Sequence, residues 1–314
     1  MLHAAVALKN DTGGSGTLFV AHLNHALRGG EADADEVWLK ALCRRWSLPL
    51  NVGKADVSEI AAQQGDGMEA AARTARYDFL LRTAERLGAR FVATAHTSDD
   101  QVETVLHRIV RGTGLAGLAG ISSTRPLSPS VALVRPLLDV RRRDVLDYLA
   151  AIGQDHRIDS SNADPRYTRN RLRHGLLPML RTQYNADVDA ALLRLATQAR
   201  ESQQLTADLA DKLAQQCVAV EYRARLLPDQ SQEASGVRID CRPLLDQPDL
   251  LIREVCKFAW NEARWPQQAM GFDQWQQLAE LARTDGDFPA INLPGNIRVR
   301  RDKHLLILDR LGLA

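Results

Sequence analysis

Apolar residues along the chain fall into two patterns, short uninterrupted runs and longer stretches that repeat at helical spacing. Leu2–Leu8 reads as the tail of a helix, and Asn10–Gly16 (NDTGGSG) as a loop. Thr17–Ala21 (TLFVA) is a strand leading into His22-Leu23-Asn24-His25. Glu31–Trp46 is amphipathic, with Val37, Leu39, Leu42, Cys43 and Trp46 available for burial, and a short strand follows near Leu50-Asn51-Val52. Met68–Leu87 sets Ala71, Ala75, Phe79 and Arg82 on successive turns and stops at Gly88, a residue that tolerates the left-handed cap. A strand at Phe91–Ala95 ends at His96, and a helix opens on Ser98. Ser98-Asp99-Asp100-Gln101 has the form of a capping box, and Val102, Val105, Leu106, Ile109 and Val110 share one face of that helix. Val131–Leu138 predicts a further strand and Arg141–Ile152 a helix. Strands alternating with helices of this length predict a parallel sheet of right-handed βαβ units.

Beyond residue 185 the pattern changes. A long polar-faced helix over 186–216 predicts a bridge to a small α+β unit at 217–314. That unit has a strand at Val237-Arg238-Ile239, helices at Leu250–Ala263 and Phe272–Ala282, and a hairpin over Ala290–Leu308 turning at Pro294-Gly295-Asn296. The domains predicted are therefore 1–185, a linker helix, and 217–314.

The helix after Phe91–Ala95 carries the most informative chemistry. His96, Asp100, Glu103 and His107 follow at intervals of four, three and four and can line a stripe separate from the apolar one. Carboxylates at the start of a helix that follows a strand lie at the carboxyl edge of a sheet, where open α/β folds bind ligands. Acidic residues in a first turn also complement the helix dipole, which alone would account for Asp99. Glu103 is a turn further in and needs another reason. The spacing is not that of a structural zinc site. It suits Mg²⁺ beside a nucleotide, or a cationic substrate group.

Composition narrows the class. A 314-residue chain with 45% hydrophobic and 25% charged residues is that of a globular protein with room for two domains. A net charge of +1 gives no general attraction to nucleic acid, so such binding requires a local patch. Cys43, Cys217, Cys241 and Cys256 form no CxxC pair, which together with the lack of a secretory pattern predicts free thiols in a cytoplasmic protein. No run approaches membrane-spanning length. Arg111–Gly120 (RGTGLAGLAG) holds a G-x-G-x-x-G, but it follows a helix and reads as a close-packed turn. Arg157–Arg181 carries six arginines against two aspartates, with Tyr167 and His174 interleaved, which predicts either a solvated face or a phosphate-backbone contact. Arg298, Arg300, Arg301 and Lys303 form a second basic cluster, either an edge-strand solubility device or an RNA contact.

Five segments together resemble one family. HLNHALRG (His22–Gly29), MEAAARTARYDFL (Met68–Leu80), ATAHTSDDQVETVLHRIVRGTGLAGLAGI (Ala93–Ile121), RPLL (Arg135–Leu138) and DSSNADPRYTRNRLRHGLLPML (Asp159–Leu180) are similar, in order, to the tRNA(Ile)-lysidine synthetases. These are PP-loop, or N-type, ATP pyrophosphatases. The resemblance covers about the first 185 residues, and more weakly the small C-terminal domain. It implies a parallel-sheet PP-loop domain of the adenine nucleotide alpha hydrolase-like kind. It also implies ligation of free L-lysine to C2 of the wobble cytidine of tRNA(Ile) with a CAU anticodon, through an adenylated base. The implied cofactors are ATP and Mg²⁺, and the family suggests a homodimer.

The resemblance also assigns residues. Asp99, Asp100 and Glu103 match the family's acidic motif, with Asp100 and Glu103 handling lysine or, for Asp99 and Asp100, magnesium. Arg73 and Arg76 match the A-R-x-x-R-Y arginines, although either could instead pair with Glu69 or Asp78 on its own helix. His22, Asn24, His25 and Arg28 match the loop that holds adenosine or the target base, and His96 shapes the nucleotide end. Arg169, Asn170, Arg171 and Arg173 match a tRNA-facing segment. Two departures stand out: Thr97 replaces a second histidine, and the S-G-G-x-D-S phosphate loop with its preceding strand is not in this sequence. Gly13-Gly14-Ser15-Gly16 is no substitute, since it precedes a strand. The expectation is a start codon upstream of Met1, the alternative a degraded or non-catalytic tRNA-binding relative; for the activity the other reading is a tRNA thiolation enzyme of the same superfamily, against which the unpaired cysteines count.

Overall fold

The computed structural model describes the chain except for residues 26–29, 65–66, 158–163, 165, 227–231, 285, 287 and 313–314. It divides into two units, Met1–Thr197 and Gln198–Ala314. Both are mixed α/β, the first built on parallel pairing and the second on an antiparallel sheet.

In the first unit, α1 (Leu2–Thr12) buries no residue and closes on Gly13 at φ 63°. It is held by His3, whose Nδ1 lies 2.7 Å from the Tyr148 hydroxyl and whose ring meets Trp46 edge-on. β1 (Val20–Asn24) starts three residues later than the sequence pattern suggests and pairs in parallel with β2 (Leu50–Lys54). Between them runs α2 (Gly30–Arg45). A short α3 (Val57–Gln64), which the sequence pattern does not announce, precedes α4 (Met68–Leu87). On α4, Ala71 and Ala75 are buried as their spacing requires, and Gly88 at φ 65° ends the helix. A Cβ on Gly53 would come within 2.6 Å of the Phe79 ring, so glycine lets α4 lie directly on β2.

A second sheet has the order β3 (Phe91–Ala93), β5 (Ala132–Val134), β4 (Thr124–Pro126). β3 and β5 are parallel, and β4 pairs antiparallel to β5. Among the described residues β1 and β3 each have one unpaired edge, and α4 packs against both strands. α5 (Ser98–Arg111) follows β3; α6 (Leu115–Leu118) and α7 (Arg142–Ala151) flank β4 and β5. A continuous helical stretch then alternates α turns (α8, Thr168–Arg171; α9, Leu177–Met179) with wider π turns at Leu172–Leu176 and Leu180–Tyr184. Val102, Val105 and Leu106 of α5 pack on Leu172 and Leu177 of that stretch and on Leu192 and Ala196 of α10 (Val188–Cys217). Ile109 and Val110, expected on the same face, are exposed at the open end of α5.

The second unit is a five-stranded antiparallel sheet, β6 (Val218–Leu226), β7 (Gln232–Asp240), β10 (Leu305–Arg310), β9 (Ile297–Asp302) and β8 (Ile291–Leu293) in spatial order. α11 (Asp249–Glu262) and α12 (Phe272–Arg283) contribute Trp260 and Trp275 to its core, where Trp260 meets Trp265 and Trp275 edge-on. Arg301, read from sequence as part of a surface cluster, is buried. Its guanidinium donates to the carbonyls of Leu281 and Ala282 at the end of α12 and to that of Lys303. Arg300 faces Asp309 at 3.5 Å.

Candidate active site

The first turn of α5 is fixed from several directions. Thr94 N–H donates to the Val134 carbonyl and Ser98 N–H to that of Val140, which anchors the turn after β3. The capping residue is Thr97, one position earlier than predicted. Its N–H donates to the Asp100 carboxylate at 2.8 Å, and its hydroxyl lies 3.1 Å from the same oxygen. Gln101 does not cap, because its side chain is used elsewhere. It donates to the Ala119 carbonyl and accepts from Ile121 N–H. Arg108 adds bonds to the carbonyls of Gly117 and Gly120. The glycine-rich segment is thus a turn clamped onto α5, as its place after a helix suggests. A Cβ on Gly120, at φ 69°, would come within 2.6 Å of the Gln101 amide.

Packing of α5 against the 168–184 stretch brings basic side chains onto the acidic motif. Glu103 has a side chain only 3% exposed. It accepts from Arg169 Nε at 2.8 Å and from both Nε and an Nη of Arg173. The other oxygen of Asp100 accepts from Arg169 at 2.8 Å, with Arg173 at 3.9 Å. Two carboxylates and two guanidiniums form one balanced cluster, the condition for burying charge at acceptable cost. His96 stands beside it, with Nδ1 2.9 Å from the Thr94 hydroxyl. Burial pulls its pKa below the ordinary histidine value. Asp100 opposes that pull, while Arg135, Arg169 and Arg73 reinforce it. A cavity of about 280 Å³ opens next to the cluster, lined by Glu103, His107, Arg166, Tyr167 and Arg169.

Asp99 does not join Asp100 and Glu103. Its carboxylate accepts from Arg142 N–H at 2.7 Å, capping the start of α7, and it lines a separate cavity with Arg141, Asp187 and Asp189. Among the described residues no three histidine, cysteine, aspartate or glutamate side chains converge as a metal site. As arranged, Asp99 and Asp100 do not fit a shared Mg²⁺ ion.

The residues at the end of β1 form a second group. Asn24 is buried and donates to Asp33 and Glu36. Hydrogen bonds from Lys40 and Asn24 hold the Glu36 carboxyl below its usual range. Burial lowers the pKa of His22, with Glu36 and Asp35 opposing. His25 Nε2 lies 3.4 Å from Arg76. Arg28 lies outside the described residues. Arg73 is stacked on Tyr77, 5.1 Å from the ring centre; among the described residues it makes no ion pair with Asp78, and the Glu69 side chain lies outside the described residues.

The proposed tRNA-facing residues divide. Arg169 and Arg173 hold the carboxylates, Asn170 is buried and donates to the Asp164 carbonyl, and Arg171 is exposed. Other arginines of that segment are paired too: Arg157 with Asp35, Arg166 with Asp164, Arg181 with Asp189. The sequence pattern assigns no role to Arg108, Arg125 or Arg135; the one signal for Arg135 is its place in the RPLL segment.

Residues 1–180 match the PP-loop domain family. The chain is 35% identical over 273 residues to the tRNA(Ile)-lysidine synthase of Rhodopirellula baltica, covering 84% of this chain and 68% of that one. The enzyme of the same name from Bacteroides thetaiotaomicron is 34% identical over 93% of this chain and 61% of its own. The chain belongs to the PP-loop family of tRNA(Ile)-lysidine synthases. It spans about two thirds of the length of those two relatives. A U34-tRNA thiolase of Methanococcus maripaludis superposes with a TM-score of 0.49 at 15% identity, over 63% of this chain and 68% of that one, a likeness too slight to argue from. No helix among the described residues is long and apolar enough to cross a membrane.

Proposed function

We propose that this chain carries out ATP-dependent ligation of lysine to C2 of the wobble cytidine of tRNA(Ile), through an adenylated base. Family membership supports the reaction class. The observation that carries the assignment to this site is the pair of buried Glu103 and half-buried Asp100, held by two arginines at the carboxyl end of a strand. An amine nucleophile arrives as an ammonium and needs anionic partners, and Asp100 and Glu103 supply two. His96, whose pKa burial lowers and whose Nδ1 is engaged by Thr94, is assigned to shaping the nucleotide end. Arg73 and Arg76 offer guanidiniums for the charge that develops on phosphate or base oxygens. His22, Asn24 and His25 at the end of β1 are assigned to the adenosine or target base, and exposed Arg171 to the tRNA.

The thiol environments weigh against a thiolation enzyme, which needs a reactive thiolate. Burial pushes Cys217 up to about 11 and Cys256 up to about 12, and raises Cys43 and Cys241 as well.

The test is ATP-dependent incorporation of labelled lysine into unmodified tRNA(Ile) by the native protein from its own cells. Incorporation is expected to be lost in Glu103→Ala, with tRNA affinity nearly intact, and lost likewise in Glu103→Gln, which keeps acceptors for Arg169 and Arg173 and so separates chemistry from loosening of the 168–184 stretch. Retention of tRNA with no incorporation by the wild type would make the protein a binding relative without chemistry.

A further inference from the structure

Four arginines, Arg73, Arg108, Arg125 and Arg135, gather about Tyr77 and one another with no described carboxylate in ion-pair reach. Arg73 and Arg125 both stack on the ring of Tyr77, at 5.1 and 4.7 Å from its centre. Arg135, just past the carboxyl end of β5, is 5% exposed and donates through one Nη to the Ser122 carbonyl. Its Nε is buried and has no hydrogen-bond partner among the described residues. Arg108 is spent on the carbonyls of Gly117 and Gly120, yet its field adds to that of Arg73. Burial would raise the Tyr77 phenol, but the charge of Arg73, a hydrogen bond and the charge from Arg135, and the charge of Arg125 together bring it below its ordinary value. The contrast with the neighbouring cluster is chemical. There two carboxylates neutralise two guanidiniums; here like charges crowd one aromatic ring, and a buried N–H is left without an acceptor. Such an arrangement favours a bound anion.

We propose that Tyr77, Arg73, Arg125 and Arg135 form a binding site for a phosphate-class anion. Arg135 reaches it through its buried edge, and Arg73 and Arg125 close on it from the stacked positions. The anion has two possible sources, the polyphosphate of a nucleotide or its pyrophosphate product, and the RNA backbone. The choice of these two rests on the function proposed above, whereas the site itself rests on the geometry.

The probes are inorganic pyrophosphate, followed by titration calorimetry, and an anticodon stem-loop RNA, followed over a salt series, both on the full chain. Arg125→Gln is the principal variant, because among the described residues the Arg125 side chain makes no hydrogen bond or ion pair and only stacks on Tyr77. Arg82→Gln, exposed on the same helix as Tyr77, controls for loss of one charge. If a nucleotide supplies the anion, Arg125→Gln weakens pyrophosphate binding about tenfold, in keeping with loss of one charge-assisted contact, while Arg82→Gln does not. If RNA supplies it, pyrophosphate is indifferent and the slope of log affinity on log salt becomes shallower by about one contact in Arg125→Gln alone. Equal behaviour of Arg125→Gln and Arg82→Gln with both probes overturns the site, as does wild type that binds pyrophosphate no better than Arg125→Gln with an unchanged salt slope. Arg135→Lys, which keeps the charge and removes the buried Nε, should reproduce the loss with the same probe. Lysine incorporation is read separately in each variant. Anion binding without incorporation in the wild type counts against the ligase and leaves the site standing.

Discussion

Replacing Glu103 by alanine should be costly well before any substrate is considered. The wild-type side chain is 3% exposed and takes three hydrogen bonds from two guanidiniums. Removing one partner of a buried ion pair typically costs about 3–5 kcal/mol, because the remaining charge is left uncompensated. Two features place this case at the lower end. Arg169 keeps its 2.8 Å bond to Asp100, and its side chain is 35% exposed, so water can take part of the load. Arg173, 21% exposed and with only a 3.9 Å contact to Asp100, is the group left stranded. A loss of about 3 kcal/mol follows, concentrated in the 168–184 stretch that Arg169 and Arg173 tie to α5. Urea unfolding gives the magnitude and hydrogen exchange of peptides from 168–184 gives the location. The informative companion is Glu103→Ala with Arg173→Ala. Removing the stranded charge should recover at least about 1 kcal/mol of the loss. A single variant that loses less than about 0.5 kcal/mol, with unchanged exchange at 168–184, would refute the cluster as drawn.

Three further outcomes are expected. Gly120→Ala should destabilise by about 1–3 kcal/mol, since it meets both a left-handed backbone and the Gln101 amide; the Tm of the variant checks it. Arg301→Ala should cost about 2–3 kcal/mol by leaving the last carbonyls of α12 unsatisfied, measured as urea unfolding of the second unit through its buried tryptophans. His96 has a folded pKa below its unfolded value of about 6.5. Its neutral form is favoured in the native state, so its contribution is full above that pH and is lost as pH falls through it toward the lower folded value. The Tm of His96→Asn should therefore drop less than that of wild type between neutral pH and pH below 6.

The parts legible in sequence are those decided locally. Met68–Leu87 could be read residue for residue because helical spacing and a glycine stop agree, and α11 and α12 because their apolar faces are continuous. Where two local rules compete, tertiary contacts decide. Thr97-x-x-Asp100 and Ser98-x-x-Gln101 are overlapping capping frames, and the glycine-rich turn settles the matter by taking Gln101. α3 and β4 are too short to show a period, and β4 ends in Pro126. The acidic motif and the basic segment were each visible as charge patterns. That they meet was not, because Glu103 and its arginines lie 66 and 70 residues apart. The six-to-two excess of arginine over 157–181 suggested an open basic surface, yet most of those charges are matched by acids elsewhere in the chain.

That matching bears on how a cationic substrate could enter. A carboxylate pair without partners would attract an amine strongly but would be expensive to bury in the free protein. The arginines remove that cost while leaving Glu103 and Arg169 on the wall of a cavity. Free lysine carries a carboxylate as well as two ammonium groups, so it can take a guanidinium with one end as it offers an ammonium to Asp100 or Glu103 with the other. Each new ion pair replaces one that was there, and no buried charge is stranded on the way. A simple diamine lacks the carboxylate and would leave Arg169 or Arg173 unpaired. Under the ligation proposed above, the arginines that hold these carboxylates thus supply a physical reason for an amino acid, and not merely an amine, to be the ligand.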